Sequence, residues 1–408
     1  MTETNDRSQA KHIVASRTIV AIAVFASLSV GMGALSLGRL APTDVPYPTW
    51  TSWAIKGFES ESTLRPDIVF LGSSLLVNPI GNVDADERGE NVDATSHRRS
   101  LFFEKRFREL SGKSVSTYNF ALPGAMPSDA YLITRFLLKE PKAPRVIVYG
   151  VAPRDLLENT LPSPAATDPF RYLSRLGDYS GAIDRIAPDF FTRLDFEIGR
   201  ALYTYGIRED LKTASARLSR ELMDTVLPVN PEQEYSIHKR MQILPEYHPY
   251  EIQRNEAFFR PSSGTEEEFR DNTQEYRDRY RRLKLDVYRS QLAFLKDTFA
   301  MARKRRIECV LVSMPITKGN RELLSADSLK AYRDGIETVC AETGASLVDM
   351  DRGEVFSQDD FADGVHLRSA GGKKFLDLLA RNLATNEAVV AAILPRKPAV
   401  AEIEESRL

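Results

Sequence analysis

The stretch Asp67-Ile68-Val69-Phe70-Leu71-Gly72-Ser73-Ser74 decides the fold of this chain. Its four consecutive apolar residues have the length and the β-branched content of a strand buried in a parallel sheet. Gly72 then permits a sharp backbone turn that a residue with a Cβ would resist. The two serines are therefore expected at the carboxyl end of a strand, which is where open α/β sheets bind their ligands.

Three further runs are strand-like, and each is followed by a break at a glycine or a proline. Helical patterns separate the runs, and this alternation predicts a parallel sheet with flanking helices, the α/β class. In such a sheet all four breaks lie along one edge. The runs and their breaks are 116–120 with Pro123-Gly124, 145–149 with Gly150, and 307–314 with Pro315.

The loop Asp363-Gly364-Val365-His366 supplies what a serine nucleophile needs. An aspartate three residues before a histidine offers a base and a carboxylate that orients it, so Ser74, His366 and Asp363 form a candidate catalytic triad. Two purely structural roles stay open as alternatives to catalysis. The serines could be the N-cap of a helix, and His366 could cap the helix that begins near Ser369. The other histidines lack a comparable setting; they are His12, His97, His238 and His248.

The composition is that of an ordinary globular protein with one large or two medium domains. The 408 residues are 42% hydrophobic and 27% charged, and the net charge is −2. This balance gives no reason to expect a nucleic acid partner. The two cysteines, Cys309 and Cys340, form no CxxC motif and no Cys/His cluster, so we expect neither a metal nor another cofactor. A disulfide between them stays open.

The N-terminal region contains an uncharged apolar run between Arg17 and Arg39. Its length matches the roughly 20 residues that cross a bilayer core, so residues 18–38 are predicted to form a transmembrane helix. Basic residues before the run favour a cytoplasmic N-terminus that comprises residues 1–17. The helix would then cross the inner or plasma membrane, and the rest of the chain would lie outside the cytoplasm. A cleaved signal peptide and a buried helix of a soluble domain are the alternatives.

Changes in composition divide the remainder of the chain. Prolines and two tryptophans, Trp50 and Trp53, mark a linker, with the tryptophans at the membrane interface or in packing contacts. Residues 79–98 are acidic and predict a solvated loop, and a single long helix is expected over 265–305. The predicted segments are the linker 39–65, the first part of the α/β domain 66–155, a mostly helical insertion 156–265, the second part of the α/β domain 266–390 and a charged tail 391–408.

Three short blocks, in this order along the chain, resemble the SGNH/GDSL hydrolase superfamily. Gly72-Ser73-Ser74-Leu75 resembles its first block, although many members carry an aspartate where Ser73 stands. Asn119-Phe120-Ala121-Leu122-Pro123-Gly124 resembles the second block, whose glycine supplies an oxyanion amide, and the Asp363–His366 loop resembles the last. The resemblance covers somewhat under half of the chain and implies an SGNH-like parallel sheet with flanking helices.

The third block departs from the pattern of that superfamily. Members usually have Gly-x-Asn-Asp there, with the asparagine donating to the oxyanion, whereas this chain reads Gly150-Val151-Ala152-Pro153-Arg154-Asp155. The resemblance leaves Gly124 and the amide of Ser74 or Leu75 as oxyanion donors. Arg154 is the candidate for the missing donor, with Asn159 as an alternative.

The resemblance implies an enzyme, namely a membrane-anchored, extracytoplasmic, serine-dependent O-acyl esterase or O-acyltransferase. The D-alanyl transfer protein of lipoteichoic acid biosynthesis and the alginate acetyltransferases are anchored members with similar Gly-Ser-Ser loops. By that likeness the substrate is an acylated glycan or lipid-linked molecule at the cell surface, and a polytopic membrane-bound O-acyltransferase is a candidate partner. The alternative is a non-catalytic scaffold or glycan-binding protein of a polysaccharide export or modification complex, with the same fold.

Overall fold

The structure is a computed structural model, and it describes residues 3–39, 41, 49–60, 65–208, 258–262, 268–352 and 355–393, with isolated positions between 210 and 222. The chain forms two compact units. The N-terminal unit comprises Met1–Tyr47 and Ala187–Glu251, and the sheet unit comprises Pro48–Ile186 and Ile252–Leu408. Most of the charged tail, much of the second half of the predicted insertion, His238 and His248 lie outside the described residues.

The sheet unit is built on parallel strands, and the predicted α/β class is confirmed. The strands of the unit are β1 Ile68–Leu71, β2 Val92–Asp93, β3 Thr117–Asn119, β4 Val146–Val151, β5 Phe258–Phe259, β6 Glu308–Ser313 and β7 Ser346–Asp349. Five of them form a parallel sheet in the order β3-β1-β4-β6-β7, while β2 and β5 form a separate antiparallel pair. Every residue of β1 and β4 is buried, as expected for central strands with helices on both faces.

Helices cover the sheet in two groups. Right-handed crossovers place the helices that follow β1 on one face and those that follow β3, β4 and β6 on the other. The helix Ser369–Thr385 packs against Ser74–Arg88 and Leu101–Ser111, and Leu285–Lys304 packs against Pro127–Phe136. Further helices of the unit are Trp50–Ser60, Pro153–Leu157, Asp168–Leu173, Ile183–Ile186, Thr273–Arg279, Lys318–Arg321, Ala326–Thr343 and Glu387–Ile393, with 3-10 turns at Pro164–Ala166, Ser180–Ala182 and Gln358–Asp360.

The strand order reverses direction at β1, since the chain moves from β1 to β3 on one side and then to β4 on the other. The carboxyl ends of β1 and β4 therefore border the crevice where open α/β sheets bind ligands. Gly72 has φ +148°, and a Cβ there would lie 2.7 Å from the carbonyl oxygen of Gly150. The N–H of Leu122 also donates to the carbonyl of Gly72, at 3.0 Å. Backbone contacts thus join the ends of β1, β3 and β4.

The prediction of a solvated loop at 79–98 is wrong over its first half, which continues the helix Ser74–Arg88. Asp84, in this segment, is fully buried. Its carboxylate accepts hydrogen bonds from the N–H groups of Leu101 and Phe102, which begin the next helix. The acidic composition suggested exposure to solvent, but the unpaired amides of a helix N-terminus compensate the burial of this charge.

The single helix predicted over 265–305 is interrupted between Arg279 and Leu285. No proline or glycine marks the break, so the sequence pattern does not reveal it. The side chain of Asn159 ends the first helix, because its Nδ2 donates to the carbonyl oxygens of Arg279 and Arg282 at 2.6 and 2.5 Å. This role removes Asn159 from the candidate oxyanion donors.

The N-terminal unit contains the helix Glu3–Ala34, whose window Arg17–Ala34 is long and apolar enough to be a membrane span or a signal sequence. Only 6% of that window is buried, which does not fit the core helix of a soluble domain. Two shorter helices, Phe190–Ala201 and Tyr203–Gly206, belong to the same unit.

Packing in the sheet unit decides two alternatives that the sequence left open. The ring of Trp50 packs on Phe259, with centroids 6.5 Å apart, so this tryptophan has a packing role. Cys309 and Cys340 are both buried and are not bonded to each other. Burial, assisted by the charge of Glu337, raises the pKa of the Cys340 thiol to about 12, which keeps it protonated and unreactive.

Replacing Gly72 with alanine should destabilise the protein far more than replacing Gly89, which has φ +66° but open space around it. Gly89→Ala is expected to cost about 1 kcal/mol of unfolding free energy, the conformational cost alone. Gly72→Ala adds a contact of 2.7 Å with the Gly150 carbonyl, so about 3 kcal/mol or more is expected. Denaturant unfolding of the full-length chain, followed by circular dichroism, measures both. Equal losses would contradict the steric constraint.

Candidate functional site

Ser74 lies at the corner between β1 and the helix Ser74–Arg88. Ser73 is the N-cap of that helix, with extended backbone angles of φ −101° and ψ −165°. The Ser74 hydroxyl therefore stands at a helix N-terminus, where unpaired N–H groups and the helix dipole favour negative charge. Leu75 and Leu76 are buried and hold the corner against the sheet.

The structure brings Ser74, His366 and Asp363 together. Ser74 Oγ lies 2.8 Å from His366 Nε2, and His366 Nδ1 lies 3.0 and 2.9 Å from the two carboxylate oxygens of Asp363. With Asp363 ionised, Nδ1 carries the ring proton and Nε2 accepts from the serine O–H. The three groups therefore have the geometry of a nucleophile, a base and an orienting carboxylate.

Asp363 is held as a carboxylate by its surroundings. Burial by itself would raise its pKa, but hydrogen bonds from His366 and from the N–H of Val365 hold the pKa of Asp363 well below its usual range. Arg270 adds a cation, with Nη2 2.8 Å from Asp363 Oδ2, although its own side chain is 71% exposed and therefore screened. An ionised Asp363 is the state that fixes the tautomer of His366.

Two polar side chains outside the predicted blocks hold the loop Asp363–His366 in place. Asn272 Oδ1 accepts from the N–H of Gly364 at 3.0 Å. Thr317 donates its N–H and its hydroxyl to the carbonyl of Gly364, at 3.1 and 3.0 Å. The sequence analysis missed both residues, because a single asparagine or threonine carries no pattern that predicts such a contact.

Backbone donors face the cavity beside the serine. Gly124 lines the same cavity as Ser74 and has a left-handed backbone conformation, with φ +75°. Among the described residues, the N–H groups of Ser74, Leu75 and Gly124 have no hydrogen-bond acceptor. They are therefore available to an oxygen atom of a bound molecule.

Arg154 also lines the cavity, but most of its donors are occupied. Its Nε donates to Glu158 Oε2 at 3.0 Å, and its Nη1 donates to the carbonyl oxygens of Gly124 and Ala125 at 3.2 and 3.4 Å. Within the described part of the chain, Nη2 has no acceptor. The guanidinium thus braces the Gly124 loop and leaves one nitrogen for a bound molecule.

Glu158 is fully buried, and its carboxylate pairs with Arg154 and with Arg279. It accepts from Arg154, from Arg279, and from the N–H and hydroxyl of Thr160 at 2.8 and 2.6 Å. Burial would raise the pKa of Glu158, but the hydrogen bonds from Thr160 and the two guanidinium charges lower it below its usual value. Glu158 therefore remains ionised and links β4 to the helix Thr273–Arg279.

A small cavity of about 110 Å³ lies over Ser74. Tyr276 and Tyr280 form one wall, and burial raises the pKa of both phenols, so both are neutral. The Tyr280 hydroxyl donates to Asn320 Oδ1 at 3.2 Å. Both tyrosines fall within the long helix predicted over 265–305, and nothing in the sequence associates them with the site. The lining residues are Ser73, Ser74, Leu75, Gly124, Ala152, Arg154, Asp155, Glu275, Tyr276, Arg279, Tyr280, Val365 and His366.

His97 has a carboxylate partner that the sequence analysis did not find. Its Nε2 lies 2.7 Å from Asp84 Oδ2, the same carboxylate that accepts from the helix Leu101–Ser111. The pair therefore stabilises a helix N-terminus, and thirteen residues of sequence separate the two groups without a recognisable motif.

Comparison with known proteins adds no guide to this site. No family model matches the chain, and a search of curated proteins finds no match. In the part of the chain that the structure describes, no group of three or more His, Cys, Asp or Glu side chains is placed to hold a metal ion. The chemistry of the site therefore rests on the geometry of its own residues.

Glu158→Gln should destabilise the protein by about 2 kcal/mol, because it removes the fully buried carboxylate that Arg154 and Arg279 share and leaves each of these half-buried groups with a single carboxylate partner, Asp155 or Glu275. Glu275→Gln is the matched control, since this exposed carboxylate also pairs with Arg279 but costs no more than about 1 kcal/mol when removed. Denaturant unfolding of both variants at neutral pH measures the difference. Similar small losses would show that Glu158 is not needed to hold the cavity wall.

Proposed function

We propose that this protein is a membrane-anchored, extracytoplasmic, serine-dependent O-acyl esterase or O-acyltransferase that acts on a cell-surface polysaccharide or glycolipid. The observation that carries the proposal is the contact of 2.8 Å between Ser74 Oγ and His366 Nε2, with Asp363 on the other ring nitrogen. A serine hydroxyl is a weak nucleophile without such a base. The reaction passes through an acyl-serine.

In the acylation step, Ser74 Oγ attacks the carbonyl carbon of the ester while its proton moves to His366 Nε2. The carbonyl oxygen takes the negative charge and accepts hydrogen bonds from the N–H groups of the Ser74 corner and of Gly124. Collapse of this intermediate breaks the bond to the alcohol, which leaves with the proton from Nε2. The products are an acyl-serine and a free hydroxyl.

In the second step, an incoming hydroxyl attacks the acyl carbon and gives its proton to His366 Nε2. Ser74 then leaves and recovers that proton. Water as the attacking molecule makes the protein an esterase, and a sugar hydroxyl makes it a transferase. The same residues serve both reactions, so the proposal includes both.

The size of the cavity favours a short acyl group. Its volume of about 110 Å³ is well below the roughly 300–1,000 Å³ of pockets that hold drug-sized molecules. An acetyl group fits this space, whereas a long fatty acyl chain does not. The glycan portion of the substrate is then held outside the cavity.

Membership of the SGNH/GDSL superfamily is part of the proposal. The blocks that resemble that superfamily follow β1 and β3, and the loop Asp363–His366 follows β7. Ser74, Gly124 and His366 line one cavity at the carboxyl edge of the sheet, which supports the assignment. The third block supports it less, because it lacks the asparagine of the Gly-x-Asn-Asp pattern.

Ser74→Ala should abolish labelling by a fluorophosphonate probe and lower ester hydrolysis or acyl transfer by several orders of magnitude. Ser73→Ala is the matched control, because this neighbouring hydroxyl lies outside the hydrogen-bonded chain from Ser74 to Asp363 and labelling should persist. His366→Ala should lose a similar amount of activity, and the double variant with Ser74→Ala hardly more, since the two residues act as a unit. Probe labelling and turnover of an acetylated glycan measure both effects.

Two results would count against this chemistry. Full labelling or activity in Ser74→Ala would exclude the serine mechanism. A wild-type protein that binds glycan but does not react with the probe would favour the non-catalytic scaffold. The missing asparagine and the paired charge of Arg154 are the features that favour that second function.

The anchor predicts a defined topology. A protease added to intact cells or spheroplasts should digest the chain after residue 40, because the apolar window Arg17–Ala34 holds the sheet unit outside the cytoplasm. Immunoblotting with a tag at either end measures this, and a cytoplasmic marker protein reports leakage. A sheet unit that resists digestion, or a soluble protein with residues 1–38 intact, would contradict the single anchor.

A further inference from the structure

The large apolar side chains that the described residues expose are concentrated in the N-terminal unit. On the helix Phe190–Ala201, Phe190 is 70% exposed, Phe191 78% and Leu194 43%. At about 100° of rotation per residue, these three side chains and Ile198 fall within one arc of about 100°. The helix therefore carries an apolar stripe, here the stripe of Phe190, Phe191, Leu194 and Ile198.

Contacts within the unit tie this helix to the end of the apolar N-terminal helix. Tyr203, two residues beyond the end of the stripe-bearing helix, packs against Gly33, where an added Cβ would lie 3.2 Å from its ring. The Tyr203 hydroxyl donates to the carbonyl of Leu37 at 3.2 Å. The N–H of Thr204 donates to Ser29 Oγ, also at 3.2 Å.

In the proposed anchor, these contacts lie at the depth of the membrane interface. Ser29 lies five residues before Ala34, where the apolar window ends, and this spacing is about 7.5 Å along a helix axis. Amphipathic helices at an interface bury their apolar face about 5–10 Å into the boundary between headgroups and acyl chains. The short helix Tyr203–Gly206 is therefore held at the depth that such a helix occupies.

Another face of the stripe-bearing helix is already covered by protein. Asp195 accepts from the hydroxyl of Tyr205 at 2.5 Å and from Arg208 Nη2 at 2.9 Å. The backbone of Gly199 also meets Gly206, where an added Cβ would lie 2.4 Å from the Gly199 carbonyl. The side of the helix that carries Asp195 and Gly199 thus contacts the same unit, whereas the stripe faces outward.

We propose that the helix Phe190–Ala201 lies in the plane of the membrane surface, with its stripe among the acyl chains of the leaflet where the N-terminal helix ends. The stripe is expected to contact lipid, because Ser29 and Gly33 hold the adjacent helix Tyr203–Gly206 against an apolar helix of membrane-spanning length. The inference rests on the proposed anchor and is independent of the chemistry at Ser74.

Spin labels at three positions of the full-length protein in phosphatidylcholine–phosphatidylglycerol vesicles test this inference. Phe191→Cys probes the stripe, Arg200→Cys is the matched control on the opposite side of the same helix, and Val24→Cys reports the anchor itself. The buried native thiols, Cys309 and Cys340, are replaced by alanine. Power saturation with oxygen and with a water-soluble nickel chelate measures the contact of each label with lipid or water.

We expect the labels at positions 191 and 24 to be accessible to oxygen and protected from nickel, and the label at position 200 to show the reverse. A label at 191 as accessible to nickel as the label at 200, with position 24 in lipid, would overturn the in-plane helix and leave the anchor intact. Protection of position 191 from both reagents would also overturn it, since protein would then cover the stripe. A label at position 24 that is exposed to water would overturn both the anchor and this inference.

Phe190→Trp, in the chain with its native cysteines, provides a second measurement that needs no label. Brominated lipids should quench its added fluorescence relative to the wild-type protein, whose tryptophans Trp50 and Trp53 belong to the sheet unit. A blue-shifted emission that brominated lipids leave unquenched would again indicate a protein partner and contradict the proposal.

Discussion

At Gly72 no side-chain carbon fits against the backbone of β4, and the edge of the sheet that carries the candidate site is built on this steric constraint. A Cβ at Gly72 would approach the Gly150 carbonyl oxygen to 2.7 Å, and a Cβ at Gly150 would approach the side chain of Leu76 to 2.8 Å. The two glycines let the corner that carries Ser74 rest against β4, and the N–H of Leu122 joins the end of β3 to the same corner. Close packing of the backbone therefore positions Ser74 independently of the polar side chains of the site.

Ion pairs with a buried carboxylate attach the helix Thr273–Arg279 to the carboxyl edge of the sheet. Glu158, shortly after β4, accepts from Arg154 beside it and from Arg279, which is 121 residues further along the chain. Arg279 ends the helix that contains Tyr276 and is followed directly by Tyr280, and these two tyrosines form one wall of the cavity. Glu158 is the carboxylate that both guanidinium groups share, and its burial makes the loss of this pairing costly. The position of the tyrosine wall of the cavity therefore depends on the ionised carboxylate of Glu158.

The strands and the candidate triad could be predicted because their signals are local. The central strands β1 and β4 are continuous apolar runs apart from Gly150, and the Asp363–His366 spacing is visible within four residues. What could not be predicted depends on contacts between distant segments. Asn159 ends a helix 120 residues away, and Asp84 is buried because it meets the start of another helix. An isolated asparagine or aspartate has no pattern that indicates such a partner, so composition placed Asp84 in solvent.

For the proposed acyl transfer, the charges around the cavity fit a neutral ester better than an anionic substrate. Arg154 and Arg279 both line the cavity, yet each is paired with Glu158, and Arg279 with Glu275 as well. A phosphate or sulfate site would need cationic donors without internal carboxylate partners. In acyl transfer the negative charge develops only in the tetrahedral intermediate, where the backbone N–H groups at the helix N-terminus can bind it. Fixed dipoles of this kind stabilise a developing charge more than a ground-state ester, which is the condition for lowering a barrier.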